Sequence, residues 1–238
     1  MKRKITILTG AGISQESGVK TFRTDNGTGL WDEYKIEDVA TPTALKYKPQ
    51  IFCDFYNKRK NELGNIFPNK AHLLIKQLED FFDITLVTTN VDDLHEKAGS
   101  TTIYHLHGSL LKLRSSYDPS YEIDYIDDLK VGDVCPDGAQ MRPDIVLFGE
   151  NLPHREFELS VKAFEESDVI IIVGTSMQVY PAADLPWVAK DTAIIYYVDP
   201  NEILFDVPKE RRPYFSHIQK PATIGMQEVF NDLQEIYF

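Results

Sequence analysis

The chain has 238 residues, 42% hydrophobic and 26% charged, with 25 Lys+Arg against 37 Asp+Glu and a formal net charge of −12. That length fits one domain with small insertions, and the composition argues against extensive disorder. The acidic balance disfavours nucleic acid and anionic membrane surfaces as partners, because both are polyanions.

No apolar run approaches the ~18 residues that a membrane span needs. The run behind the basic start is only Ile5 to Leu8, too short for the apolar core of a secretion signal. Cys53 and Cys135 are the only cysteines, so a disulfide framework is excluded and a cytoplasmic location is expected.

In chain order, Lys4–Leu8 reads as a buried strand running into Thr9-Gly10-Ala11-Gly12-Ile13-Ser14, a turn that opens a helix. Asp25–Gly29 reads as a flexible loop. Thr41-Pro42 is a helix start, with Thr as cap and Pro in the first turn. Pro49–Leu63 and Asn69–Phe82 are further helices. Ile84–Val87 is a strand ending at Thr88-Thr89-Asn90, followed by a short helix over Asp92–Ala98. Thr101–Leu106 is a strand ending at His107-Gly108. Arg114–Met141, rich in Asp, Tyr, Ser and Pro, reads as a small separate module. Asp144–Leu147, Asp168–Val173 and Ala193–Val198 are short apolar strands, and Ile224–Ile236 is a closing helix. Strands alternating with helices predict an α/β fold with a parallel sheet covered on both faces.

In such a sheet ligands bind beyond the carboxyl ends of the strands. Four polar segments follow strand ends here: GAGIS, TTNVDDLH, HGS and GTS. Their convergence at one edge predicts a single crevice. Gly10-Ala11-Gly12 suits close approach of backbone N–H groups to a pyrophosphate, although Gln15 stands where a third glycine is usual. His107, at a strand end, suits a general base. Asn90 and Asp92 can bind hydroxyls or an amide, or cap the short helix. On Pro49–Leu63, Arg59 shares the apolar stripe of Phe52, Phe55 and Leu63, with Tyr56 beside it. From spacing alone, Arg59 is either a snorkelling side chain or a guanidinium awaiting an anionic ligand group.

Taken together, GAGISQESGVKTFR, TTNVDDLHEKAG, HLHGSL, RPDIVLFGENLP and GTSMQVYPAADL resemble the sirtuin family of NAD-dependent protein deacylases. The segment EDVATPTALKYKPQIFCDFYNKRKNEL is similar to the class III members, which remove succinyl-like groups from lysine. The resemblance implies a Rossmann-like catalytic domain over residues 1–238, with insertions near 25–65 and 114–141. Gly10, Ala11, Gly12 and Ile13 would cradle the NAD pyrophosphate, with Phe22 and Arg23 covering the cofactor. Thr89, Asn90, Val91 and Asp92 would hold the nicotinamide ribose and carboxamide. Gly174, Thr175 and Ser176 would meet phosphate and ribose, Tyr197, Val198 and Asp199 the adenosine end, and Ala222 the adenine. His107, with Asn90 and Asp92, would be catalytic. Tyr56 and Arg59 would grip an acyl carboxylate, while Val146, Phe148, Gly149 and Glu150 would pair with an acyl-lysine peptide as an added strand. The implied products are free lysine, nicotinamide and O-acyl-ADP-ribose.

Two positions depart from the family pattern. Thr89 stands where Gln is usual, which shortens reach to the ribose. Ser115 replaces the first of the zinc cysteines and only Cys135 survives, so no zinc is expected. The 114–141 module would then be held by packing of Tyr117, Tyr121, Ile123, Tyr125 and Ile126. An ADP-ribosyltransferase or NAD glycohydrolase on the same fold, and a non-catalytic NAD- or peptide-binding module, are the rival readings.

Overall fold

The computed structural model describes residues 2–21 and 30–237. The expected loop Asp25–Gly29 therefore lies outside the described residues, as do Phe22 and Arg23. Strands in chain order are β1 (Lys4–Thr9), β2 (Asp83–Thr88), β3 (Ile103–His105), β4 (Gly108–Ser115), β5 (Glu122–Asp124), β6 (Met141–Ile145), β7 (Val169–Val173), β8 (Ile194–Val198) and β9 (Phe215–Ile218). Helices are α1 (Ala11–Gln15), α2 (Leu30–Glu33), α3 (Ile36–Val39), α4 (Pro42–Tyr47), α5 (Pro49–Leu63), α6 (Lys70–Leu78), α7 (Leu94–Ala98), α8 (His154–Glu166) and α9 (Ala222–Tyr237).

Six strands form a parallel sheet in the order β3-β2-β1-β7-β8-β9. Each central strand is apolar on both faces, as a doubly covered sheet requires. In β7 the alternation is direct: Val169, Ile171 and Val173 join one core, and Ile170 and Ile172 the other. The first core is closed by Leu74, Ile75 and Leu78 of α6 and by Met226, Val229 and Leu233 of α9. The second is closed by Phe164 of α8 and by Ala182, Ala183 and Leu185 of a 3₁₀ segment. The chain order runs outward from β1 in one direction and from β7 in the other. The switch point between β1 and β7 is where a crevice opens in this topology.

The strand expected at Asp144–Leu147 is β6, shifted to Met141–Ile145, and it lies outside the parallel sheet. It pairs antiparallel with β4 in a second sheet ordered β5-β4-β6. A short apolar strand carries no mark of which sheet it joins, so sequence reading assigned it to the larger one. The crossing from β3 to β4 happens at His107-Gly108. Gly108 has φ +73°, and a Cβ there would lie 2.1 Å from the Asp144 carbonyl oxygen, so only glycine lets β4 start beside β6.

Helix α5 has two buried stripes. Phe52, Phe55, Tyr56 and Leu63 pack with Val39, Ala44, Leu94, Leu110, Ile145 and Leu147. The other stripe faces the 114–141 module. There Cys53 packs with Leu113, Tyr125 and Leu129. The Asn57 amide accepts from the Leu129 N–H at 2.8 Å and donates to the Leu129 carbonyl at 2.9 Å. Lys60 Nζ donates to the Ile126 carbonyl at 2.9 Å and sits 4.8 Å from the Tyr125 ring centre. The packing expected of Tyr117 and Ile126 does not occur, since their side chains are exposed; Tyr125 and Leu129 do that work.

At the position of the missing zinc thiolate, Ser115 Oγ donates to Asp137 Oδ2 at 2.6 Å and accepts from the N–H groups of Tyr117 and Asp118. Cys135 is buried beside it. Among the described residues no group of three or more His, Cys, Asp or Glu is arranged to hold a metal ion. No described helix is long and apolar enough to cross a membrane.

Asn57→Ala strands the Leu129 N–H and carbonyl in a part-buried seam. We expect a loss of about 2 kcal/mol, read as a Tm lowered by about 4–8 °C in thermal unfolding.

Candidate functional site

The loops after β1, β2, β3 and β7 meet at one edge because the strands end in register. Thr9 lies opposite both Thr88 and Val173. The first and last of these loops are pressed together: Gly12 N–H donates to the Gly174 carbonyl at 2.8 Å, and Gly10 N–H donates to the Val173 carbonyl at 3.1 Å. A Cβ on Gly12 would lie 2.7 Å from Gly174 Cα. These glycines thus serve close packing of two loops. The amides of Gly10 and Gly12 are spent inside the chain, and the Ile13 N–H returns to the Gly10 carbonyl. In this structure the N–H groups of Gly10, Gly12 and Ile13 are thus engaged within the chain.

That packing aims α1 so that Ser14 enters the crevice, fully buried. Ser14 Oγ donates to Asp92 Oδ2 at 2.9 Å and accepts from Asn90 Nδ2 at 3.2 Å. One hydroxyl therefore orients both residues that sequence reading placed at the nicotinamide end. The other Asp92 oxygen accepts from the Leu94 N–H at 3.2 Å, so Asp92 also caps α7. Burial raises the Asp92 carboxyl above its usual range, partly offset by those hydrogen bonds. Asn90 Oδ1 is buried with no hydrogen-bond partner. Such an acceptor is costly to leave unmade and marks a place for a ligand donor. Ser14 was missed in the sequence, where it reads as the end of a glycine turn.

A chain of side chains fixes the backbone at Asn90. His95 Nε2 lies 3.0 Å from Thr9 Oγ1, which donates to Thr88 Oγ1 at 2.8 Å; Thr88 Oγ1 also accepts from the Asn90 N–H at 3.0 Å. With the Thr9 proton committed to Thr88, His95 Nε2 is the donor, which leaves its Nδ1 bare. Thr89 turns its hydroxyl back to the Thr9 carbonyl at 3.2 Å, away from the crevice. Val91 carries its carbonyl to the Leu110 N–H and packs against the α5 cluster.

Two imidazoles follow β2's loop with pKa values shifted in opposite directions. His107 Nδ1 is 3.1 Å from the Thr89 carbonyl, which can only accept, so Nδ1 holds the proton and Nε2 carries the free lone pair. Burial pulls its pKa down, partly opposed by that carbonyl. His105 is also pulled down by burial, but Glu96 at 2.7 Å and the Asn90 carbonyl at 3.1 Å outweigh it and raise its pKa. His107 is therefore the neutral base form at neutral pH, and His105, held toward its protonated form by Glu96, is a strut behind Asn90.

Beyond β7, Gly174 adopts φ +62° and a Cβ there would lie 2.2 Å from Ile13 N. Thr175 Oγ1 accepts from the Met177 N–H, and Ser176 is exposed at the rim. Three residues expected at the cofactor have their side chains engaged within the chain. The Tyr197 ring packs on Phe205, Phe215 and His217, and its hydroxyl donates to the Thr175 carbonyl at 3.1 Å. Val198 and Ala222 bury their side chains in the first core. Their side chains support the rim from beneath. Asp199 is at the strand end, with Oδ1 accepting from the Asn201 N–H at 2.9 Å.

Tyr56 and Arg59 lie on α5 between the crevice and the small sheet. Arg59 is only 8% exposed. Burial pulls its guanidinium down, opposed by the charges of Glu62 and Asp92. Burial likewise raises the Tyr56 phenol, with Arg142, Arg59 and Glu150 acting on it. The pair thus faces Asp92 on one side and the 142–150 segment on the other.

That segment is stapled by charge. Arg142 Nη1 and Nη2 reach Glu150 Oε1 at 2.5 Å and Oε2 at 3.0 Å, and Nη2 also donates to the Ile145 carbonyl. Glu150 Oε2 accepts from the Leu147 N–H at 2.9 Å. The Val146 N–H goes to the His107 carbonyl, that of Phe148 to the Ala40 carbonyl, and that of Glu150 to the Leu147 carbonyl. Residues 148–149 form a turn with Gly149 at φ +90°. The segment expected to pair with a peptide is a stapled turn. The Glu150 carboxylate holds this turn in place.

Residues 10–181 match the model of the Sir2 family. Over 234 residues the chain is 43% identical to an NAD-dependent protein deacylase of Helicobacter pylori, covering 98% of this chain and 99% of that one. An NAD-dependent protein deacylase of Bacteroides thetaiotaomicron is 44% identical over 234 residues, covering 95% and 96%. A crystal structure of a Sir2 homolog–NAD complex superimposes with a TM-score of 0.83 at 34% identity, covering 99% of this chain and 91% of that one. A Sir2–p53 peptide–NAD+ structure does so at 0.76 and 25% identity, covering 98% and 95%.

Behind the crevice the rings of His72 and His95 lie 4.8 Å apart and tilted by 57°, and burial lowers both pKa values, that of His72 to about 4. In the unfolded chain each takes a proton near pH 6.5. Below that pH the unfolded state binds more protons, so stability falls with pH from about 6.5 to about 4, by about 3 kcal/mol for His72 alone. Urea unfolding at stepped pH reads this slope. His72→Gln keeps an acceptor for the Asn69 N–H and is expected to flatten it.

Proposed function

This chain belongs to the Sir2 family and is an NAD-dependent protein-lysine deacylase, and we propose that it favours lysines carrying acidic, succinyl-like acyl groups. The observation that carries this reading is Arg59, a guanidinium buried beside Tyr56 whose one ion pair among the described residues is to a half-exposed carboxylate. A buried cation so lightly paired costs stability unless a ligand completes it. The fork geometry of Arg suits a carboxylate, and the Tyr56 phenol, kept neutral by its raised pKa, adds a donor.

The site residues fit the NAD co-substrate: the partnerless Asn90 Oδ1 suits a hydroxyl or amide donor, and Asp92 is fixed to receive an amide. NAD supplies an activated ribose carbon that accepts the acyl oxygen. The chain's own part is orientation and proton handling. Ser14 holds Asn90 and Asp92 in one arrangement, and Leu94 N–H fixes the second Asp92 oxygen. His107 Nε2 removes a proton from a ribose hydroxyl, while Nδ1–H on the Thr89 carbonyl holds the tautomer. Thr175 and Ser176 at the rim receive the phosphate end. The acyl-lysine peptide lies against the stapled 146–150 turn, beside Val146, Phe148 and Gly149.

We also read the 114–141 module as standing without zinc, with the Ser115–Asp137 clasp and the Asn57 seam in its place. Overnight EDTA treatment should leave Tm and deacylation unchanged, and a fall in either would overturn this.

The acyl preference is tested on one peptide bearing acetyl- or succinyl-lysine at saturating NAD. Succinyl release should have the higher kcat/KM. Arg59→Met should lower it by about 10- to 100-fold, as expected for a lost charge-assisted hydrogen bond, with a much smaller effect on acetyl release. Equal losses on both substrates would sink the assignment.

A further inference from the structure

Arg59 already has a carboxylate neighbour. Its Nη1 lies 3.3 Å from Oε2 of Glu62, one turn further along α5. The two partners differ in setting, with the Arg59 side chain 9% exposed and that of Glu62 41%. We infer that Glu62 is a built-in competitor for the Arg59 guanidinium and so sets how strongly the enzyme discriminates acidic from neutral acyl groups. This rests on the reading of Arg59 as the acyl-carboxylate anchor.

A carboxylate gripped well by guanidinium sits at about 2.7–2.9 Å, often on two nitrogens at once. The Glu62 contact is longer and engages one terminal nitrogen. It is a weak hold from a side chain that reaches solvent. A neutral acyl group can enter with the pair intact, so it never faces an uncompensated buried cation. An acidic acyl group must take the guanidinium over, and Glu62 must swing into water, because two carboxylates on one guanidinium repel each other. The exposure of Glu62 makes that swing feasible. The resting pair thus lowers the cost of an empty pocket and, by the same interaction, weakens binding of the acidic substrate.

Asp92 also acts on Arg59, but it is buried and bonded to Ser14 and the Leu94 N–H. It has no freedom to leave, and Glu33, whose charge also interacts with Arg59, is bonded to Lys20, so the exchangeable partner is Glu62.

An opposite role for Glu62 predicts the opposite result. If it chiefly aligns Arg59, its removal weakens acidic-acyl binding. Glu62→Gln keeps a neutral acceptor for alignment and removes the competing charge; Glu62→Ala removes both. The measurement is kcat/KM on acetyl- and succinyl-lysine peptides, with Arg59→Met and the Arg59→Met/Glu62→Gln double variant alongside.

We expect Glu62→Gln to raise the succinyl-to-acetyl ratio about two- to fivefold, the scale of an exposed ion pair, through KM for the succinyl peptide. The gain should shrink at high salt and vanish in the Arg59→Met background. A ratio unchanged or lowered in Glu62→Gln overturns the inference. If Arg59→Met collapses the ratio while Glu62→Gln leaves it in place, only the competitor role is lost. If Arg59→Met also leaves it in place, the anchor reading fails and takes the competitor with it.

Discussion

The contact between the Gly12 N–H and the Gly174 carbonyl sets the geometry of the site. It clamps the turn after β1 to the turn after β7 across the switch point of the sheet. Neither turn admits a Cβ there: one on Gly12 would meet Gly174 Cα, and one on Gly174 would meet Ile13 N. Because the clamp fixes where α1 starts, it fixes Ser14, and Ser14 in turn fixes Asn90 and Asp92. The glycines act at one remove from the ligand. Their chemistry is closeness of backbone to backbone, and the orientation of the polar residues is its consequence.

Helix α5 transmits a second constraint. One stripe seals the pocket through Phe52, Phe55 and Tyr56, and the other ties down the 114–141 module through Cys53, Asn57 and Lys60. Arg59 lies on the pocket side of a helix anchored from behind. A guanidinium that must meet a small carboxylate tolerates little positional drift, because the fork has to match two oxygens. The amide pair between Asn57 and Leu129 therefore bears on specificity as well as on stability.

The sheet was legible because its strands are short apolar runs closed by polar turns, and Pro49–Leu63 was legible because its apolar stripe begins at a proline. Crevice residues Asn90, Asp92 and His107 were legible from their place at strand ends. Ser14 was not, since its importance lies in two side chains 76 and 78 residues away. The sheet of β4, β5 and β6 was hidden because pairing partners leave no local trace in a sequence so polar. The side-chain packing of Tyr197 and Val198 was hidden for a related reason. A strand end looks ligand-facing in sequence, yet in a sheet covered on both faces its side chains point into the layers, and only the loop beyond reaches the crevice.

Charge in this molecule works over short range. A chain of net charge −12 repels at a distance both an anionic dinucleotide and an acidic acyl group. With a screening length of about 8 Å at physiological salt, that repulsion bears on encounter more than on the bound state. Discrimination must then come from groups desolvated inside the crevice, where each contact is worth more than at the surface. The structure is arranged that way. Among the described residues, buried ionic groups of the site are paired or capped: Arg142 by Glu150, and Asp92 by Ser14 and Leu94. His107 stays neutral, and Arg59 keeps one loose partner. These last two are the groups whose state a substrate can change at small cost, one by a proton and the other by exchange of a carboxylate. A site with every charge tightly satisfied would be more stable and could not tell one acyl chain from another.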